Sequence, residues 1–344
     1  MITVSACLIV KNEENVLARC LLSLKDLVDE IVLVDTGSTD KTREIGEQFG
    51  CRIFDFAWVD DFAAARNFSF GKAEMDYIYV ADADEVIDEE NRKRFLHLKQ
   101  CILPEIEIVQ MKYTNQLQFN TTYNFDTELR PKLFKRNRRF EWQDPVHETV
   151  RLEPVIFDSE IEIIHMPEGN HSKRDFGIFQ KLIKKDIPLS KKLRTMYARE
   201  LFVSGEDQDF LDAEGYFAGL LSEEREEEEL KIIQCVLTRS ARIRQDADQI
   251  LKNALKNVAC KMASAEVCYD VGEYFLEKGD LQEAVIWFYN AAYETDSELN
   301  IRYSGEFPLL KLASCYRQAG DVKQSKYYEE LAQKAAQVQV SGDE

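Results

Sequence analysis

From Met1 to about His165, short β-type runs alternate with segments of helical period, and this alternation limits the fold more than any other feature. Ile2–Val10 is rich in apolar and β-branched residues. Between Glu14 and Leu27 the apolar residues Val16, Leu17, Cys20, Leu21, Leu24 and Leu27 recur at the spacing of one helix face. Glu30–Val34 (EIVLV) reads as a short buried strand, and Thr42–Phe49 as a helix ending at Gly50, the residue type favoured just past a helix end. Arg52–Phe56 is a strand, Phe62–Lys72 a helix, Tyr77–Ala81 (YIYVA) another strand, and Glu160–Ile164 a later one. Alternation at this length predicts an α/β fold, a mainly parallel sheet with helices on both faces.

Past about Pro188 the strand signals fade into a helical composition. The chain has 344 residues, enough for two domains. The boundaries predicted are 1–185 for the α/β part and 186–344 for an all-α part. The tail contains an echo: the segment Gly272–Ala284, with its central Gly279-Asp280, resembles Ala313–Ser325, with Gly320-Asp321. The glycines are 41 residues apart, close to the period of about 34 of tetratricopeptide helix pairs plus a short insertion near Ser297–Phe307. A weaker copy runs from Tyr197 through Gly205 to Ala213. Stacked pairs would form a curved array; a non-repeating bundle is the plainer alternative. The run Glu223–Glu229 (EEREEEE) reads as a solvated helix face or loop.

Charge narrows the function. Against 44 Lys and Arg stand 63 Asp and Glu, a net charge of −19 that repels phosphate backbones and anionic membranes. No stretch reaches the roughly 18–20 apolar residues of a membrane helix, and Met1–Ser5 lacks the basic start of a secretory leader. The eight cysteines are scattered singly, without a C-x-x-C pair. They read as reduced core thiols, so the location expected is cytoplasmic.

Four motifs carry chemistry. The strand ending in Asp35 runs into Thr36-Gly37-Ser38-Thr39-Asp40, placing an acid where ligands bind in open α/β sheets; plain N-capping by Ser38, Thr39 or Asp40 is the alternative. Directly after Tyr77–Ala81 comes Asp82-Ala83-Asp84-Glu85. In extended backbone the two aspartates point to one side, where they can hold a hard divalent cation against a diphosphate; an acidic turn before a helix is the alternative. Arg66, within Asp61-Phe62-Ala63-Ala64-Ala65-Arg66-Asn67, could reach a phosphate or a carboxylate. Finally Arg130–Arg136 (RPKLFKR) precedes Trp142 and Pro145-Val146-His147-Glu148, a pair offering a metal or phosphate contact and a carboxylate base. His165 could line the same cavity or sit in the core. No G-x-G-x-x-G, Walker, G-x-S-x-G or H-E-x-x-H pattern is present.

Over about residues 1–170, these elements and their order resemble the inverting family 2 glycosyltransferases of GT-A fold. The segments VSACLIVKNEENVLARCLLSL, VDTGSTDKT, DFAAARNFSF, VADADE, RPKLFKR and PVHETV carry the likeness. With its tetratricopeptide-like tail the chain is similar to the bacterial glycocin peptide S-glycosyltransferases of sublancin type. The resemblance implies a nucleotide-sugar pocket formed by Val10, Lys11, Asn12, Glu13, Asp35, Thr36, Ser38, Arg66, Asp82 and Ala83. Many members carry a second Asp where this chain has Thr36. Asp84, with Asp82 and His147, would hold Mn²⁺ or Mg²⁺, and Glu148, with His147 beside it, would be the catalytic base. The implied reaction moves a hexose, glucose first among them, from a UDP-sugar to a peptide or protein acceptor, such as a Cys thiol of a bacteriocin precursor. Ser/Thr hydroxyls and a cell-envelope glycan are alternative acceptors. The tail would hold the acceptor or pair two copies as a homodimer. Two other classes remain: a nucleotidylyltransferase-like enzyme, disfavoured because Ile9–Glu14 is acidic and lacks glycine, and a non-catalytic helical scaffold.

Overall fold

The computed structural model describes residues 1–114, 128–150, 154–166, 172–222, 226–259 and 263–341. These fall into two compact units that divide at Ser172, ahead of the boundary the composition suggests.

The first unit runs β1 (Val4–Val10), α1 (Leu17–Leu24), β2 (Glu30–Asp35), α2 (Thr42–Gln48), β3 (Arg52–Asp55), α3 (Phe62–Phe70), β4 (Tyr77–Ala81), β5 (Glu85–Val86), α4 (Glu89–Cys101), β6 (Ile108–Thr114), β7 (Glu128–Lys135), β8 (Trp142–Gln143), β9 (Thr149–Val150) and β10 (Ile156–His165). Eight strands form one sheet in the order β3-β2-β1-β4-β7-β6-β10-β5, and β8 pairs with β9 in a separate hairpin. Strands β3, β2, β1 and β4 are parallel; β7 enters antiparallel between β4 and β6. This is the GT-A arrangement expected above.

Side-chain alternation along β1 explains the two covered faces. Val4, Ala6, Leu8 and Val10 pack with Leu17, Leu21 and Leu24 of α1 and Phe95 and Leu98 of α4. Cys7 faces the other way, toward Val32, Val34, Ile78 and the rings of Phe54 and Phe68. Helix α1 is shorter than its apolar period predicts. Glu14 is drawn into the neighbouring loop, its N–H donating to Asp40 and its carboxylate accepting from the Lys41 N–H, and the helix starts only at Leu17. Strand β10 is longer than predicted and crosses an irregularity between Asp158 and Glu162 against β6.

The second unit is helical: α5 (Ser172–Lys184), α6 (Lys191–Ser204), α7 (Asp207–Leu220), α8 (Glu227–Ile243), α9 (Ala247–Val258), α10 (Ala265–Glu277), α11 (Leu281–Tyr293), α12 (Glu306–Gln318) and α13 (Val322–Ser341). The echo in the sequence is a repeated turn. Gly279 and Gly320 take φ of +80° and +84°, which glycine adopts without a Cβ penalty. The following Asp280 and Asp321 each cap the next helix by accepting from the N–H three residues on. Gln245-Asp246, between α8 and α9, builds the same turn with Gln245 at φ +58°, and Asp246 stands 34 residues before Asp280. The weaker copy differs: Gly205 has φ −70°, and a reciprocal cap between Glu206 and Asp209 starts α7.

Of the acidic run, Glu223–Arg225 lie outside the described residues; Glu229 is buried rather than solvated, with Arg194 Nε donating to it at 2.5 Å. Among the described residues seven cysteines are free thiols, five of them buried, and Cys260 lies outside those residues. No helix among them is long and apolar enough to cross a membrane.

Candidate active site

Register brings the strand-end motifs to one edge. Val10 of β1 aligns with Asp35 of β2, and Leu8 aligns with Ala81 of β4. Lys11–Glu13, Asp35–Ser38 and Asp82–Asp84 therefore leave the sheet at neighbouring points. The first two loops are stitched together. Asn12, at φ +57°, donates its N–H to Ser38 Oγ at 3.0 Å and accepts from the Thr39 N–H at 2.8 Å. Glu13 N–H donates to Thr42 Oγ1 at 2.7 Å, and Thr36 Oγ1 to the Val10 carbonyl at 3.1 Å. Lys11 is exposed, the one basic group of that loop.

Asp35 is buried. Burial alone would raise its carboxyl, but the Ser38 hydrogen bonds and the Arg43 guanidinium at 3.0 Å hold it below the usual carboxylate range. Asp82 is likewise pushed up by desolvation and pulled further down by Arg66, with Lys132 and Arg130 adding to the fall.

Arg66 organises the mouth from α3. Its Nη2 donates to Asp82 Oδ1 at 3.1 Å, its Nε to Glu148 Oε1 at 2.5 Å, and its Cζ lies 5.4 Å from the centre of the Trp142 ring. Next along the helix, Asn67 donates to the Trp142 carbonyl at 2.9 Å and accepts from the Trp142 N–H at 2.8 Å. Phe62 N–H donates to the Pro145 carbonyl at 2.8 Å. One small-residue helix thus holds the β8–β9 hairpin, with His147 at φ +51° in its turn, against the strand end of β4. Sequence reasoning names Arg66 and Glu148 separately; their ion pair is visible only in three dimensions.

An imidazole does meet Asp84: His165 Nε2 stands 3.1 Å from Asp84 Oδ2, and the Met166 N–H donates to the Asp84 carbonyl at 2.9 Å. The Asp84 carboxylate supplies the oxygen donors that suit a hard cation such as Mn²⁺ or Mg²⁺, and the His165 imidazole beside it is a nitrogen donor that Mn²⁺ accepts more readily than Mg²⁺. Among the described residues no three His, Cys, Asp or Glu side chains form a closed cage, so such an ion would draw its other ligands from phosphate oxygens or water.

Beneath the acids lies a pair the sequence did not single out. Lys132 of β7 is buried and donates to Glu85 Oε1 at 2.5 Å and to the Val80 carbonyl at 3.2 Å. Desolvation lifts the Glu85 carboxyl above its ordinary range against the pull of Lys132, and the charges of Asp82 and Asp84 lift it further. The available signal was a lysine inside the apolar run Pro131-Lys132-Leu133-Phe134, since a buried lysine needs a partner.

Residues 5–150 match the sequence model of the glycosyl transferase family 2. A TPR repeat-containing protein of Synechococcus elongatus is 48% identical over 85 residues, 25% of this chain and 21% of that protein. The SPbeta prophage-derived glycosyltransferase SunS of Bacillus subtilis is 26% identical over 235 residues, 61% of this chain and 52% of that protein. An uncharacterized glycosyltransferase of Rickettsia bellii is 27% identical over 220 residues, 62% and 64% of the two chains. The chain thus spans about half the length, or less, of the first two of these relatives. Among solved structures, glucosyl-3-phosphoglycerate synthase of Mycobacterium tuberculosis, in complex with Mn²⁺ and UDP-glucose, aligns at a TM-score of 0.38 and 16% identity over 55% of this chain and 81% of that one. The motifs at the ends of β1, β2 and β4, Arg66 and the β8–β9 hairpin all fall inside the segment, residues 5–150, that matches this family model, whereas His165 lies beyond it.

Proposed function

We propose that this chain is a metal-dependent, inverting glycosyltransferase that moves a hexose, glucose being the first to try, from a UDP-sugar to a peptide or protein acceptor. The observation that carries the reading is the shared guanidinium of Arg66, which joins Glu148 to Asp82 at the sheet mouth. The stitched loops of Lys11–Glu13 and Asp35–Ser38 offer backbone and hydroxyl groups to a nucleoside, as the motif resemblance implies. Asp84, with His165 or His147, would hold Mn²⁺ or Mg²⁺. When bound, such an ion would neutralise negative charge on a departing diphosphate.

Glu148 then accepts the proton of the acceptor's S–H or O–H. The freed heteroatom forms a bond to the anomeric carbon as the bond from that carbon to the diphosphate oxygen breaks, and UDP leaves with the electron pair. A thiol needs less help from the base than a hydroxyl, because its ordinary pKa is about 8.5. The helical unit would hold the acceptor or pair two copies. The seven described cysteines, all free thiols, are in keeping with a reducing, cytoplasmic setting.

The test is UDP release from UDP-glucose with Mn²⁺ and Cys- or Ser-containing peptides, with mass spectrometry of the peptides. Sugar addition by the wild type that is lost in Asp84→Ala is the result expected; equal turnover in the two proteins would overturn the metal-dependent reading.

A further inference from the structure

Arg66 serves two carboxylates from different parts of the chain. Its Nε is bonded to Glu148 and its Nη2 to Asp82, while the side chain is only 13% exposed. A guanidinium is a planar, rigid fork, so turning one N–H toward a new anion changes what the others can reach. The surroundings leave it little other freedom. The Trp142 ring lies under it, and Asn67 fixes the backbone of Trp142 through both its N–H and its carbonyl. Water competes poorly for the Arg66–Glu148 pair, whose Glu148 side chain is only 12% exposed, whereas Asp82 is 40% exposed and open to an arriving anion.

Glu148 and Asp82 thus share one guanidinium. A diphosphate arriving at the mouth brings new negative charge next to Asp82 and competes with Glu148 for the same fork. We infer that Arg66 couples donor binding to the release of Glu148: it is the positioning residue of the base, and it lets go of Glu148 Oε1 as it turns to the donor. This rests on the transfer reading above. Its consequence is an order of events in which Glu148 has both oxygens available to an acceptor only after the sugar nucleotide is in place.

The coupling is read as a double-mutant cycle in binding, without any turnover. The full chain is titrated calorimetrically with UDP in the presence of Mn²⁺, as wild type, Glu148→Gln, Glu148→Ala, Arg66→Gln and the Arg66→Gln/Glu148→Gln double variant. Melting temperatures control for folding. Removing Glu148's charge frees the guanidinium, so both Glu148 variants bind UDP about threefold or more tightly, the size of coupling found between residues in contact. Arg66→Gln binds more weakly, and the double variant matches it. A purely structural role for Arg66 would not produce a gain at Glu148 that disappears without Arg66. Should Arg66→Gln fail to fold, Arg66→Met replaces it in the cycle; it keeps the length of the side chain but not its charge, and the gain again vanishes. Glu148 variants that leave UDP affinity unchanged, or that shift it equally with and without Arg66, would overturn the coupling alone. A wild type that binds no UDP would remove the donor reading itself and the coupling with it.

Discussion

Arg66 Nε lies 2.5 Å from Glu148 Oε1, joining helix α3 to a hairpin turn far along the chain. The carboxylate named as base on sequence grounds is thereby fixed at the sheet edge where Asp82 and Asp84 emerge. Replacing it by Gln keeps its shape and removes its capacity to take a proton. Glu148→Gln is expected to lower the transfer rate by about 10²–10⁴-fold, the usual worth of base assistance, while UDP affinity is not reduced. Steady-state kinetics and calorimetry on one preparation check this. A matching loss of UDP binding in a folded variant would remove the base assignment.

The Lys132–Glu85 pair supports the acidic loop from below, since Lys132 also holds the Val80 carbonyl of β4. Lys132→Met leaves a carboxylate buried without its cation. The expected cost is about 3–5 kcal/mol, and adding Glu85→Leu should recover most of it, because an apolar pair carries no desolvation penalty. Urea denaturation of both variants measures the two values. A single variant as stable as wild type would show that the pair contributes nothing to the fold.

Asp35 gives a pH dependence whose sign follows from its environment. Burial acts to raise its carboxyl, but the Ser38 bonds and Arg43 outweigh it and hold the folded value below the unfolded one. Stability from the ionised group is therefore fully present above the unfolded pKa of about 3.9 and is lost as pH falls through that value toward the lower folded one. Asp35→Asn should cost about 1.5–3 kcal/mol at pH 7, the worth of hydrogen bonds to a charged group, and the gap to wild type should narrow at pH 3.5. Denaturant melts at the two pH values decide it; a gap that widens on acidification would reverse the sign.

In the helical unit Gly272 sits against Phe288. A Cβ there would come within 2.8 Å of the Phe288 Cδ1 and Cε1 atoms, in a buried contact. Gly272→Ala should destabilise this unit by about 1–3 kcal/mol through overpacking, and Phe288→Leu in the same chain should restore part of the loss. Thermal melts followed by circular dichroism at 222 nm are the measurement. A melt equal to wild type would mean the ring moves aside freely.

Much of this architecture was legible in the order of residues. Local period gave the strands β1, β2 and β4, because a strand buried on both faces must be apolar along its length. Asp35, Asp82 and Asp84 stand out because they leave apolar strands at the carboxyl edge, where ligands bind in open α/β sheets. The Gly-Asp turns at Gly279 and Gly320 were readable because φ near +80° selects glycine. The related turn at Gln245-Asp246 carries no such signal, because Gln245 takes φ +58° without a glycine. Glu229 read as solvated, since a charge run says nothing about an arginine arriving from another helix.

The sequence by itself determined the alternating α/β plan, the helical tail and the acids at the strand ends, all set by side-chain period and local backbone preference. Tertiary structure alone decided which charges meet: Arg66 with Glu148 and Asp82, His165 with Asp84, Lys132 with Glu85. Such pairings depend on strand register and on the placement of loops distant in the chain. A carboxylate carries the same local signature whether its partner is water or a buried guanidinium.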